Sequence, residues 1–324
     1  MTDIVATLST AEPGALTPYR EDVLNFARAS QAANTRRAYR AAWAAFCDWC
    51  ATHDAAPLPA APETVAAWLT DQAHNGQKVA TLNVKRAAVC AAHRTAGQAD
   101  PTRAELVRLT MRGITRTLRA APTKKAPVTL AELRAMLATL DRSTLHGKRD
   151  AALLLVGYAG AFRRSELVAL DVEDARFTAD GLRLTVRQSK TDQEGQGLLK
   201  VIPTLSDLEV CPVTALRLWL DAAVINSGPL LRRLERWGGV RGRLTDQAVK
   251  DVVKDCARRA GLDPRQFAGH SLRAGFVTAA AVAGVQAVDI AAQTGHKSLD
   301  TLRGYIRDAG LSAKRAVAGA FMPS

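Results

Sequence analysis

Cysteine is scarce in this chain of 324 residues: there are five, an odd number scattered over positions 47, 50, 90, 211 and 256, which argues against a disulfide framework. Cys47 and Cys50 have the spacing of a metal or redox motif but no second pair. They fall inside the helical pattern of Trp43, Phe46 and Trp49, so helix packing accounts for them. Long apolar runs are missing too. None approaches the roughly 20 residues of a membrane span, and the N-terminus lacks a positive start followed by an apolar core. A cytoplasmic protein without a membrane partner is therefore expected. No carboxylate cluster of the kind that holds Mg²⁺ is present, so neither a metal nor another cofactor is expected. Acidic residues are outnumbered, 31 against 44 lysines and arginines, leaving a formal charge of +13. In a chain without a membrane segment that excess points to nucleic acid.

What is present suffices for real cores, since 48% of the residues are hydrophobic, and the length favours two domains. Residues 1 to 127 carry 16 basic and 10 acidic side chains and residues 128 to 324 carry 28 and 21, so both parts can touch phosphate, as a clamp requires. Residues 1–17 read as a flexible lead-in and 18–120 as five helices joined by short loops. The first is YREDVLNFARAS. The second starts at Asn34 or Thr35 and carries an apolar stripe of Tyr39, Trp43, Phe46 and Cys50; PETVAAWLTDQAHNG, VATLNVKRAAVCAAHRTAG and RAELVRLTMRGITRTLRA follow. Residues 121–128, with two prolines and two lysines, read as an extended basic linker. Thr129 with Glu132 forms a capping box that opens a second domain, 129–324.

In that domain GLRLTVRQSK alternates Leu182, Leu184 and Val186 against Arg183, Thr185 and Arg187, the period of a half-buried strand. TDQEGQG is then a turn and LLKVIP a return strand. Pro212 opens a helix. Val249, Val252, Val253 and Cys256 mark the inner face of another that ends at Gly261. The segment before it, RRLERWGGVRGR, reads as a loop whose Arg232, Arg233, Arg236, Arg241 and Arg243 suit phosphate. The fold class is mainly α with a small β-sheet: a helical bundle followed by an α+β domain.

The most informative stretch runs from His270 to Tyr305. His270 and Arg273 are three apart and share a helix face. Gly284 offers a helix stop, a short apolar helix with Val288, Ile290 and Ala291 follows, and Thr294-Gly295 ends it before His296. Ser298 is placed to cap a last helix carrying Tyr305, nine residues after His296. One histidine or tyrosine alone would be read as a cap or as core. Their order, His-x-x-Arg, Gly-His, then Tyr, resembles the second box of the tyrosine recombinases and phage integrases. Residues 157–174, GYAGAFRRSELVALDVED, resemble the first box of that family: Arg163 falls on its first arginine and Glu166 on the acidic partner. Gly160-Ala161-Phe162 replaces the family's usual Thr-Gly-Leu, so a reshaped turn is expected. Arg164 is an extra base, read as a charge facing solvent or phosphate. Lys190, where the first hairpin strand meets the turn, matches the family's lysine, with Lys200 on the return strand as runner-up.

The resemblance implies a helical, SAM-like core-binding bundle and an α+β catalytic domain closing as a clamp on DNA, in a layout similar to the Cre-like members. Helices matching the second and fourth of the bundle cross the major groove in such enzymes. That makes Arg36, Arg37 and Arg40, and Lys78, Thr81, Asn83, Lys85 and Arg86, candidate DNA contacts. Gln247, Lys250 and Lys254, with Arg241 and Arg243 just before them, are the candidates in the second domain. Base edges are read by Arg, Asn or Gln, whereas most basic contacts only position phosphate.

The chemistry implied is transesterification. A phenol with an ordinary pKa of about 10 needs activation before it attacks, and His270 is the candidate acceptor for the Tyr305 proton. Arg163 and Arg273 would clamp the non-bridging phosphate oxygens, with His296 as a further donor, while Lys190 protonates the leaving 5′-oxygen and Glu166 holds the arginine and histidine side chains. The product would be a 3′-phosphotyrosyl link, resolved through a Holliday junction by a homotetramer on two double-stranded recombination sites. Ala316, Val317, Ala320 and Phe321 would form a C-terminal helix exchanged between protomers. A type IB topoisomerase, which rejoins the same strands, and a non-catalytic DNA-binding protein on the same fold are the alternative readings.

Overall fold

A computed structural model describes residues 33–118, 125–187 and 197–296, together with Tyr19, Glu21 and Asp22. Lys190, Ser298, Tyr305, the C-terminal stripe, the lead-in and most of the first expected helix lie outside the described residues. The chain divides into two compact units, 1–123 and 124–324.

The first unit holds four described helices: α1 (Ala33–Thr52), α2 (Pro62–His74), α3 (Val79–Thr95) and α4 (Glu105–Leu118). Their apolar faces meet in one core in which Phe46, Cys50, Val65, Trp68, Leu69, Leu82, Val89 and Val107 are buried. Phe46 stacks obliquely on Trp68 with ring centroids 4.8 Å apart. His93 sits inside this core: its Nε2 accepts from the Ala60 N–H at 2.8 Å and its Nδ1 faces the Val89 carbonyl at 2.9 Å. Both ring nitrogens are thus satisfied, and the residue is a structural tie between α3 and the loop before α2. Cys47 and Cys50 ride on α1 as free thiols whose pKa values burial pushes up.

The second unit is built around α6 (Leu145–Ala159), in which residues Gly147 and Arg149–Gly157 are all buried. A helix covered on every side must be central. Around it pack α5 (Leu130–Ala138), α7 (Arg164–Ala169), α8 (Pro212–Ala222) and α10 (Gly269–Val282), with α9 (Asp246–Arg259) against α5 and α7 and α11 (Ala287–Thr294) on α10. The expected capping box is present, Thr129 Oγ1 accepting from the Glu132 N–H at 3.2 Å while Glu132 accepts from the Thr129 N–H at 2.7 Å. Strands β1 (Ala175–Thr178), β2 (Gly181–Val186) and β3 (Leu198–Pro203) form an antiparallel sheet in that order, with Leu184 opposite Lys200 and Leu182 opposite Ile202. Leu182, Leu184 and Val186 face inward as their alternation predicts.

Two expectations need correction. The segment read as a loop is a second hairpin, β4 (Arg232–Leu234) paired with β5 (Val240–Arg243). Leu234 and Val240 pack against the core, which two apolar residues among so many arginines did not announce. Part of the supposed linker is fixed. The N–H groups of Ala126 and Val128 donate to the carbonyls of Gln266 and Ser271, both at 2.9 Å, and Val128 is fully buried, so 125–128 is an extended strap of the second unit. Of the residues that made α11 read as an apolar helix, Val288 is exposed and Ile290 is buried.

Candidate active site

The first arginine box turns on Ala161, which adopts a left-handed φ of +46° where a glycine would be unstrained. Ala161 stands in this turn at the middle of Gly160-Ala161-Phe162. It ends α6, buries Phe162 and starts α7 at Arg164, so that Arg163 lies just before the first turn. Glu166, buried on that first turn, accepts from the Arg163 N–H at 2.9 Å and from the Arg163 Nη1 at 2.5 Å. A buried carboxylate paired to a guanidinium fixes the arginine in one orientation. Arg164 is not simply solvent-facing. Its stem lies across Gly269, where any Cβ would come within 2.3 Å of Arg164 Cδ, and its head is 4.0 Å from Asp246.

That close approach places the start of α10, and hence His270, beside the arginine box. Arg273, one turn later, is 1% exposed. Its Nη1 donates to the carbonyl of Ala161 at 2.8 Å and to that of Thr294 at 2.7 Å. The strained Ala161 turn therefore aims its carbonyl at the second arginine. Gly295, at φ +70°, ends α11 in the left-handed cap the sequence predicts and swings His296 back toward Arg273.

The hydrogen bonds of His296 fix its tautomer. Arg273 Nη2, which carries only hydrogens, lies 2.9 Å from His296 Nε2, so Nε2 accepts. The proton is then on Nδ1, 2.7 Å from Thr294 Oγ1, whose own hydrogen goes to the Ile290 carbonyl at 2.6 Å. Burial, then the charges of Arg273, Arg163, His270 and Lys200, lowers the His296 pKa to about 4. His270 stands at the open side of the site. Desolvation by surrounding protein, then the charges of Arg273, Arg163 and Arg164, holds its pKa below the usual imidazole value. An imidazole that stays unprotonated can accept a proton, which is the property a base needs.

Lys200, ranked second from sequence, is the residue whose position sequence reasoning missed. It is fully buried, its ammonium lying 4.9 Å above the Phe162 ring and donating to the Gln293 carbonyl. Burial is the largest influence on it. The Glu166 carboxylate opposes that influence, the charges of Arg273 and Arg163 add to it, and the pKa falls to about 7. Gln293 completes the lattice, its side-chain amide donating to the carbonyls of Ala159 at 3.0 Å and Val201 at 3.3 Å. Lys200, Gln293 and Arg273 thus stitch the arginine turn, β3 and the His296 turn together. The signal was available: in LLKVIP, Lys200 shares the inward phase of Ile202.

The expected DNA contacts divide. Arg37, Arg40, Lys78, Thr81, Asn83 and Gln247 are exposed, and Arg36 and Lys250 are half-buried. Lys85 instead lies over the Trp68 ring at 5.2 Å and donates to Gln72, and Arg86 has its Nε buried. Lys85 thus turns onto the bundle's own tryptophan. Arg241 pairs with Glu235 at 2.7 Å. Arg243 binds Asp171 at 2.5 Å and the Val168 carbonyl at 2.7 Å, so it anchors β5 rather than facing outward as a free cation. Among the described residues no helix is long and apolar enough to cross a membrane.

Residues 127–310 match the model of the phage integrase family. An integrase/recombinase XerD homologue of Selenomonas ruminantium is 38% identical over 292 residues, covering 89% of this chain and 85% of that protein. Tyrosine recombinase XerD of Xanthomonas campestris pv. campestris is 31% identical over 190 residues, 55% of this chain and 54% of that one. Among solved structures, the XerH recombinase in a post-cleavage complex with a palindromic difH substrate shares the fold with a TM-score of 0.59 at 17% identity, over 80% of this chain and 72% of that one. A lambda integrase dimer on a core site gives 0.51 at 18% identity, over 76% and 64%.

Proposed function

We propose that this chain, which belongs to the phage integrase family of tyrosine recombinases, enzymes that transfer DNA strands, cuts and rejoins double-stranded DNA at a specific site through a 3′-phosphotyrosyl intermediate. The observation that carries the reading is the convergence of Arg163 and Arg273, 110 positions apart in the sequence, with both histidines around one small region. Two guanidiniums in a low-dielectric setting suit the charge that grows on the non-bridging oxygens of a phosphodiester under attack. His270, kept unprotonated, takes the phenolic proton as the Tyr305 oxygen attacks phosphorus; Lys190 protonates the departing 5′-oxygen; His296 donates to the phosphate once its ring leaves Arg273. Because one ester replaces another, the bond energy is retained and no ATP is called for.

Strand exchange then follows when the 5′-hydroxyl of a partner duplex attacks the phosphotyrosine. We assign this to a homotetramer on two sites, passing through a Holliday junction in a Cre-like arrangement in the cytoplasm. Arg36, Arg37, Arg40, Lys78, Thr81 and Asn83 of the first unit, and Gln247 and Lys250 of the second, are its DNA contacts. The test is covalent trapping on nicked duplexes from the chromosomal flanks of the gene, in the presence of EDTA. An adduct that survives denaturant with wild type and is missing with Tyr305→Phe supports the reading. Specific binding without any adduct overturns the cleavage claim, and relaxation of supercoils without exchange of flanks transfers it to a topoisomerase.

A further inference from the structure

The connection between β2 and β3 carries Lys190, the residue assigned the leaving-group proton, yet the sheet ladder ends at Val186 opposite Leu198. The first residue past that ladder is Arg187. Its Nε donates to the Asp174 carboxylate at 2.5 Å, and its Nη1 lies 3.6 Å from the Asp171 carboxylate. Both acids belong to one short turn just after α7, made of Asp171 and the single 3₁₀ turn Val172–Asp174. The turn is itself held. Asp174 accepts from the Asp171 N–H at 2.9 Å, the Val172 N–H donates to the Gly228 carbonyl at 2.8 Å, and the Glu173 carboxylate accepts from the Gly228 N–H at 3.0 Å.

Asp171 also receives Arg243, so Asp174, Arg187, Asp171 and Arg243 form a chain of alternating charge. Arg243 ends β5, and Thr245, two residues on, caps α9. One turn therefore grips the root of the lysine segment and the lead-in of α9, and it continues from the helix whose Glu166 holds Arg163. Stability is a poor account of the Arg187 link. Its side chain is 56% exposed, and an ion pair in water adds little to a fold. Asp174 is 5% exposed, so a fixed, buried carboxylate holds an outer guanidinium by a short bond. Such a hook sets position, and position is what a proton donor needs: transfer requires hydrogen-bond reach, and a shift of about 1 Å can cost on the order of a hundredfold in rate.

We propose that Asp174 is a positioning residue for the leaving-group proton: through Arg187 it fixes the root of the segment that carries Lys190, while Asp171 joins that root to the lead-in of α9. The proposal rests on the recombinase reading and on the acid role of Lys190 within it.

The probes are the duplex recovered from covalent trapping and the same duplex with sulfur in place of the 5′-bridging oxygen at the cleaved phosphate. On the natural duplex the Tyr305 oxygen bonds to phosphorus, the bond from phosphorus to the 5′-oxygen breaks, and that oxygen takes a proton from Lys190. On the sulfur duplex the departing group keeps the electron pair as a thiolate, which needs no acid because a thiol has a pKa of about 8.5. Arg187→Ala and Asp174→Asn are each expected to slow single-turnover cleavage of the natural duplex about thirtyfold and of the sulfur duplex less than about twofold. Lys190→Ala should show the same selective rescue, and adding Arg187→Ala to it should slow the natural duplex no further. Duplex affinity and melting temperature of Arg187→Ala should stay within about twofold and about 2 °C of wild type. Equal slowing on both duplexes, or no slowing on either, overturns the proposal and leaves the recombinase reading standing. Loss of rescue in Lys190→Ala overturns it together with the acid role of that lysine. A wild type that cleaves neither duplex takes the recombinase reading with it.

Discussion

Replacing Lys200 by methionine should make the protein more stable at pH 6 and less active. Lys200 is fully buried and its amine falls from 10.5 to about 7. At about 1.4 kcal/mol per pH unit, holding the charge inside costs roughly 5 kcal/mol below pH 7. Methionine removes that cost but leaves the Gln293 carbonyl without its donor, a loss of about 1–3 kcal/mol. A net gain of about 2–4 kcal/mol is expected at pH 6. The sign of the pH dependence follows from the lowered folded pKa. Below pH 7 both folded and unfolded chains carry the proton and the penalty is complete. Between pH 7 and 10.5 the folded chain has released it while the unfolded chain keeps it, so wild-type stability climbs. Urea unfolding of the two proteins should show the difference shrinking by about 3 kcal/mol between pH 6 and 9. Single-turnover cleavage should fall between about ten- and a hundredfold, because the His296 turn loses one of its two cationic holds. A methionine variant less stable than wild type at pH 6, or a difference that does not change with pH, would refute the reasoning.

Other substitutions separate further roles. Ala161→Gly should be close to neutral, relief of left-handed strain offsetting the lost buried methyl, whereas Ala161→Val should cost about 2–3 kcal/mol in thermal unfolding. Because the folded pKa of His296 lies near 4, below the ordinary 6.5, its imidazole NMR signals should not titrate between pH 7 and 5. The stability this group supports is lost as pH falls from 6.5 toward 4, so His296→Gln should flatten the acid limb of the stability curve. Arg243→Ala should destabilise the fold by about 1–2 kcal/mol, since it removes the nearer of two guanidiniums on Asp171. Arg233→Ala should leave the melting temperature unchanged and weaken DNA binding.

The site was legible in the sequence wherever its parts lie close together in the chain. His270 and Arg273 are one helical turn apart, Arg163 and Glu166 likewise, and Gly295 announces the turn that delivers His296. What escaped notice depends on distant groups. Lys200 looks like any hairpin lysine until Phe162, Glu166 and Gln293 close over it. Arg243 looks like a phosphate contact until Asp171, 72 residues earlier, claims it. The β4–β5 pair is hidden for another reason: its strands have three and four residues, too few for an alternation to register. Lys85 was assigned to DNA by its place near the start of α3, yet its ammonium lies over the bundle's own Trp68.

Among the described residues, Arg273 and Lys200 donate to carbonyl oxygens and an imidazole nitrogen, while the Glu166 carboxylate pairs with Arg163 beside them. Neutral acceptors orient a charge without cancelling it. Arg163, Arg273 and, below pH 7, Lys200 thus bring positive charge close together, and a bound anion adds negative charge to that region. Sulfate, inorganic phosphate and polyanions should raise its melting temperature while competing with the duplex. The buffer that best preserves this protein in storage would then be the one in which its reaction with DNA runs slowest.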